Sequence, residues 1–269
     1  GLVGSEMCIR DRLWSWWGNS ENTSFWMSAH ILRALKMAQD AGYPVELNLN
    51  GLKVEYAHTR PYRGMKLEDI EILHALHEWK VEADYSSAVR LLEPFVRQLE
   101  QKEDSLANRN KYYRPLSYLK EKLLLWEIKQ QVDSVNVGDS VRPYLKKDML
   151  EGVYCDDGRR TYYWEGNQMI NTLIAYRIIK NDPSLCKLKE NMQLYILRTK
   201  EHGWNTYQAS SAVATVLTDL LAGSGGMSGT SVSVSGKDHQ RITEFPYHAR
   251  LTAGDSLLIS KTGKEPLLY

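Results

Sequence analysis

Between Trp14 and Leu221 the apolar residues recur at helical spacing, broken by short polar connections. A first helix is expected to open near Phe25 behind Thr23 and Ser24. It should close at Gly42-Tyr43-Pro44, where glycine supplies a left-handed residue and proline cannot continue the helix. Its stripe comprises Phe25, Ala29, Ile31, Leu32, Leu35 and Ala38. A second helix is predicted from about Leu67 to Val81, with Ile72, Ala75, Leu76 and Trp79 on one face. A third covers about Tyr85 to Leu99, where Pro94 marks a kink or restart. From Tyr112 to Ile128, a seam of Tyr112, Leu116, Leu119, Leu123 and Trp126 predicts a fourth helix, with Lys120, Glu121 and Lys122 facing water.

After a polar stretch around Ser134 to Arg142, helices resume near Glu165, Ser184 and Thr206. The segment from Gln168 to Ile179 is apolar around most of its circumference, and Ala209 to Leu221 is similar. Between them Leu185, Leu188, Met192, Tyr195 and Ile196 make a single stripe. A helix apolar on most sides is buried and one with a single stripe lies outside, so the alternation predicts inner and outer layers. A weak repeat accompanies it: Trp17-Gly-Asn-Ser, Trp164-Glu-Gly-Asn and Trp204-Asn-Thr each precede a helix. These tryptophans are expected to be structural wedges at the starts of inner helices, in a solenoid or closed ring of hairpins.

Past Leu221 the pattern changes. Gly223 to Gly229 has linker composition. Ser231-Val-Ser-Val-Ser235 then alternates with period two, and Leu257 to Ile259 with Pro266 to Tyr269 predicts a hairpin.

Composition narrows the function classes. The chain has 269 residues, with Lys+Arg 34 against Asp+Glu 33, so the basic excess typical of nucleic-acid binders is missing. Hydrophobic residues at 43% and charged residues at 25% argue for a globular protein. No apolar run approaches the roughly 18 residues of a membrane span. Cys8, Cys155 and Cys186 make neither a disulfide framework nor a Cys-x-x-Cys zinc pair; Cys155 and Cys186 could pair in an oxidising compartment, and two buried thiols are the favoured reading.

Local chemistry is sparse. His74 and His77, three apart on a helix with Glu71 and Glu78 nearby, lack the His-Glu-x-x-His arrangement of a zinc site. A solvated or half-buried helix face is the favoured reading. Asp156-Asp157 ahead of Arg159-Arg160 is favoured as a charged turn over a cation site or an acid catalyst. The Gly223–Gly229 cluster and Lys237 fit neither a dinucleotide loop nor a phosphate loop. There is no Gly-x-Ser-x-Gly elbow, and Glu100 to Asp104 is expected to be a solvated helix face. No catalytic, cofactor-binding or metal-binding residue is assigned.

Four segments in order carry a family resemblance. They are Trp14-Ser-Trp-Trp-Gly-Asn-Ser20 with the Phe25–Ala38 helix, Asn171-Thr-Leu-Ile-Ala-Tyr176, Arg198 with Gly203-Trp-Asn-Thr-Tyr-Gln208 and Ala212, and Ile259 to Tyr269. Together they resemble the thioester-type domain of the bacterial alpha-2-macroglobulin family. The resemblance implies an all-α fold, an α/α toroid present as a partial ring of helical hairpins, followed by the start of a small β-sandwich-type domain. It also implies a non-enzymatic function as a protease-trapping inhibitor, with proteases as partners and a periplasmic or outer-membrane-associated location. The family's thioester needs Cys-x-Glu-Gln. Here Cys155 precedes Asp-Asp-Gly and Cys186 precedes Lys-Leu-Lys, so this chain cannot supply the covalent step. Residues 1–12 are similar to a translated sequencing adaptor and are set aside as an artefact. The expected organisation is 13–222 toroid, 223–229 linker and 230–269 truncated β domain, within a fragment of a longer protein. The alternatives are a toroid enzyme acting on a polysaccharide or isoprenoid, with Asp156, Asp157, Trp164, Trp204 and His202 converging on a cavity, or a non-inhibitory helical scaffold.

Overall fold

In a computed structural model, the structure describes residues 13–15, 23–59, 64–161, 168–200, 203, 206–223, 231–235, 239–242 and 258–262. These residues are mostly helical, with small antiparallel sheets. The chain divides into two compact units, Gly1–Thr215 and Val216–Tyr269.

In the first unit, helix α1 (Phe25–Asp40) begins at Ser24, whose hydroxyl accepts from the Met27 amide at 3.3 Å. It ends on Gly42, at φ +90°. Helix α2 (Leu49–Thr59) was hidden in the sequence because its buried residues reduce to Leu52 and Tyr56. Helix α3 (Glu68–Glu78) buries Ile72, Ala75, Leu76 and Trp79 as expected, and the Trp79 indole donates to the Leu32 carbonyl of α1 at 2.8 Å. Helix α4 (Tyr85–Arg109) is capped by the Asp84 carboxylate and runs unbroken through Pro94, so no restart occurs there.

Helix α5 (Leu119–Val132) starts later than its apolar seam predicted. Pro115 lacks a backbone N–H and disfavours helical geometry at the residue before it. Instead, Glu103 of α4 draws in this segment, accepting from the Tyr113 hydroxyl and the Leu116 amide, each at 2.8 Å. Ser117 then donates its amide to the Arg160 carbonyl at 2.8 Å. Tyr112 is consequently exposed, while Glu103, expected in water, is buried.

A short helix α6 (Gly138–Val141) leads into an antiparallel hairpin of β1 (Leu145–Lys147) and β2 (Val153–Cys155), paired Leu145 to Cys155 and Lys147 to Val153. Helix α7 (Gln168–Ile179) is buried around almost all of its length. Helix α8 (Cys186–Thr199) buries only Met192 and Ile196. Helix α9 (Thr206–Ala212) continues as a π-helical segment, Val213–Leu217, and then as α10 (Thr218–Gly223).

Buried α7 and mostly exposed α8 follow the expected alternation. The run from Ala209 to Leu221, expected to be buried like α7, buries only Ala212, Thr215 and Val216 among the described residues and leaves Val213 half exposed, because few helices pack against it. Helix α1 packs on α3, α3 on α5, α5 on α7 and α7 on α9, while α4 lies chiefly against α5 and α8 against α7 and β2. Odd-numbered helices therefore form a continuous row, with α4 and α8 outside it. Trp17, Trp164 and Trp204, the wedges expected to open inner helices, lie outside the described residues.

In the second unit, β3 (Ser231–Ser235) pairs antiparallel with both β4 (His239–Ile242) and β5 (Leu258–Thr262). Ser231 stands opposite Thr262, and Ser235 opposite both His239 and Leu258. The strand around Leu258 thus pairs with β3, and the hairpin partner expected at Pro266 to Tyr269 lies outside the described residues.

Candidate functional site

Each inner helix turns one stripe of side chains toward a common cleft of about 150 Å³. From α1 come Arg33, Lys36, Met37 and Asp40; from α3, His74 and Glu78; from α5, Lys120 and Leu124; from α7, Ile170, Leu173, Ile174 and Arg177. Ser211 of α9 and Ala214 and Thr215 of the π-helical segment complete the lining. The spacings are those of one helical face, with residues three, four and seven apart stacked above one another. The cleft is thus a property of the row of helices, with each side chain held by backbone that is itself packed.

Under the cleft lies an ionic network that is largely buried. Glu71 of α3 meets Arg33 of α1 and Lys120 of α5, each at 2.5 Å. One step further along, Glu127 of α5 accepts two parallel hydrogen bonds from Arg177 of α7, both 2.7 Å, and contacts His74 Nε2 at 2.8 Å. Burial alone raises the pKa of both carboxyls. The cations overcome that: Arg33 and Lys120 hold Glu71 well below the usual carboxylate range, and Arg177 and His74 do the same for Glu127. Burial lowers the Arg177 pKa, but the Glu127 carboxylate beside it prevails and raises it. Both acids are therefore fixed as anions and are poor proton donors.

The network corrects several expectations. Lys120 and Glu121 are buried rather than facing water, and Lys122 is part-buried, donating to Glu100 at 3.0 Å and to the Tyr144 hydroxyl at 2.7 Å. Lys120 is on an inner helix, where its ammonium finds Glu71 instead of solvent. His74, expected on a solvated or half-buried face, is 2% exposed. Its ring proton is set by its partner: an ionised Glu127 only accepts, so Nε2 carries hydrogen. Nδ1 has no hydrogen-bond partner and lies 3.6 Å from Glu78 Oε2. His77 does not join it. That ring stands edge-on to Tyr85 at 4.8 Å, and burial, with His74 nearby, lowers its pKa. Among the described residues, no group of three or more His, Cys, Asp or Glu side chains is arranged to hold a metal.

Asp156 and Asp157 occupy a turn, as favoured from sequence. Asp156 accepts from the Gly158 amide at 3.1 Å and pairs with Lys146 at 3.2 Å. Asp157 accepts from the Arg159 amide at 3.0 Å and from the Ser117 hydroxyl at 2.8 Å. Neither lines the central cleft. Trp164, Trp204 and His202 lie outside the described residues, as does Lys237. Cys155 is a buried thiol whose pKa burial pushes up to about 12, with Asp156 and Asp157 adding to the effect. Cys186 is exposed, contrary to expectation, because it opens α8 on the outer layer.

Sequence reading missed Arg33, Glu71, Lys120, Glu127 and Arg177 as a group. The available signal was charge at interior registers, such as Arg177 within the apolar α7. Among the described residues no helix is long and apolar enough to cross a membrane. Comparison with protein-family models, curated proteins and solved structures gave no match.

Proposed function

We propose that this chain is the helical domain of a bacterial alpha-2-macroglobulin-like protein that traps proteases at the cell envelope. The observation that carries this reading is the convergence of α1, α3, α5, α7 and α9, in chain order, on one cleft. A partial α/α toroid requires such inner helices, and the family resemblance calls for that architecture followed by a small β domain. The resemblance implies a large rearrangement around the protease, and a core cross-tied by buried ion pairs suits a helical domain that keeps its fold through it. The trap reading is preferred to a toroid enzyme because Asp156 and Asp157 do not reach the cleft on which the helices converge.

The test uses the complete polypeptide that contains this chain, incubated with a panel of endopeptidases. A trap enclosing its protease leaves hydrolysis of a small chromogenic peptide largely intact while blocking hydrolysis of a large protein substrate. The protease should also co-elute with the trap on size exclusion. Equal activity on both substrates with and without the polypeptide, and no co-elution, would overturn the proposal. Cell fractionation should place the polypeptide in the periplasm or outer-membrane fraction.

A further inference from the structure

The positive ends of two ion pairs face the central cleft. Among the described residues its lining includes Arg33, Lys120 and Arg177, whereas their carboxylate partners, Glu71 and Glu127, are buried and do not line it. Lys36 lines it too, paired with Asp40 of its own helix. Arg177 spends Nε and Nη2 on Glu127. Its Nη1 has no hydrogen-bond partner among the described residues, and the side chain keeps 25% exposure. Arg33 is near enough for its charge to oppose that of Arg177. Two guanidiniums beside one small space favour an anion in it. A second observation comes from another wall. The π-helical segment Val213–Leu217 brings Ala214 and Thr215 to the cleft, and such segments are rare and recur at functional sites. Thr215 is 7% exposed, and its hydroxyl has no hydrogen-bond partner among the described residues. A buried hydroxyl left unpaired is costly, and an acceptor held in the cleft would satisfy it.

We propose that the cleft binds a free short-chain aliphatic carboxylate, whose oxygens accept from Arg177 Nη1 and from the Thr215 hydroxyl. An ionised carboxylate is acceptor-only and matches two donors that lack a partner. Leu124, Ile170, Leu173 and Ile174 supply an apolar wall for its carbon chain. That wall favours an anion with an alkyl tail over phosphate or sulfate, which have none. A cavity of about 150 Å³ takes a molecule the size of benzene, roughly six heavy atoms, and butyrate is that size. The site needs no particular protonation of His74, because imidazolium would add to the positive charge and neutral imidazole would leave it unchanged. Glu78 also lines the cleft, is 31% exposed and opposes an anion, so removing its charge should strengthen binding. This inference does not rest on the protease-trap reading, since the cleft and its donors exist whatever the parent polypeptide does.

The test is a titration of the whole 269-residue chain with sodium butyrate at neutral pH, following the Arg177 Nε–Hε resonance by NMR. A saturable shift is expected. Butyramide, which keeps the shape without the charge, should bind at least about tenfold more weakly. At equal ionic strength n-butylammonium should produce no shift. Thr215→Val keeps the shape of the side chain and removes its donor, so it should weaken butyrate binding about tenfold, the value of one hydrogen bond to a charged group. Glu78→Gln removes a like charge and should tighten binding about threefold. Circular dichroism checks that each variant is folded, and Glu78→Gln, changed at a partly exposed residue, decides alone if Thr215→Val is not. The proposal fails if the shift does not saturate, if n-butylammonium reproduces it, or if butyramide binds as tightly as butyrate. It also fails if folded Thr215→Val keeps the parent affinity, or if Glu78→Gln binds no more tightly than the parent chain.

Discussion

Glu127 shows at the residue scale what buried charge contributes and costs. Its carboxylate has left water, and the two hydrogen bonds from Arg177 with the contact from His74 offset that loss. Glu127→Gln keeps the shape and removes the charge, leaving Arg177 facing a neutral amide. The expected cost is about 3–5 kcal/mol, measured as a lower urea midpoint. Adding Arg177→Met should recover a large part of that loss, because no uncompensated charge then remains. Strictly additive losses in the double variant would mean that the two side chains are not coupled. Acid supplies a second test. Glu71 and Glu127 have folded-state pKa values below their unfolded value of about 4.3. Below about pH 5 the unfolded chain binds protons that the folded chain refuses, so the stabilisation present above that pH drains away as pH falls. The thermal midpoint should therefore drop steadily from pH 5 to pH 3, and more shallowly in Glu127→Gln. Equal slopes in both proteins would remove Glu127 from the account.

At the scale of the element, α1 and α3 end with the same pair of hydrogen bonds on different residues. After α1, the Gly42 amide donates to Gln39 and the Tyr43 amide to Ala38, each at 3.0 Å. After α3, the Lys80 amide donates to His77 at 2.9 Å and the Val81 amide to Leu76 at 3.0 Å. Both ends are Schellman caps with a left-handed residue, Gly42 at φ +90° and Lys80 at φ +56°. A side chain there costs about 1–2 kcal/mol, part of which glycine forfeits through its greater freedom when unfolded. Lys80→Gly should thus stabilise the protein by about 0.5–1 kcal/mol, read from denaturant midpoints. A loss of stability would mean that the Lys80 side chain makes a compensating contact. These caps also explain what was legible in the sequence. Ser24 and Gly42 announced their helix ends because capping is local chemistry. Helix α2 offered too few apolar positions to read, and the three-residue strands β1 and β2 too short a pattern. Lys120 and Glu71 were illegible for another reason. A charge on a helix faces water unless a neighbouring helix covers it, and the cover comes from residues far along the chain.

For the whole molecule, the distribution of the core decides which part can stand alone. Of the buried residues described, Val216 alone lies beyond Thr215. The ionic network and the cleft also belong entirely to the first unit, Gly1–Thr215. The π-helical segment Val213–Leu217 carries the chain across the boundary, and α10 follows it to Gly223. Cutting between Thr215 and Val216 would split that helical run and expose Val216, so the sensible end point is after Gly223. A chain stopped there keeps every helix described above and, among the described residues, discards only the sheet of β3, β4 and β5. It should lose less than about 1 kcal/mol, a shift of roughly 2–4 °C or less for a unit of this size. Its unfolding should also remain a single cooperative transition, since the inner row of helices shares one core. The measurement is a thermal melt of the truncated chain beside the full one. A midpoint lower by more than about 8 °C would mean that the strands stabilise the helical unit by several times that amount. The core would then extend past Thr215, and the two units would not be independent folding bodies.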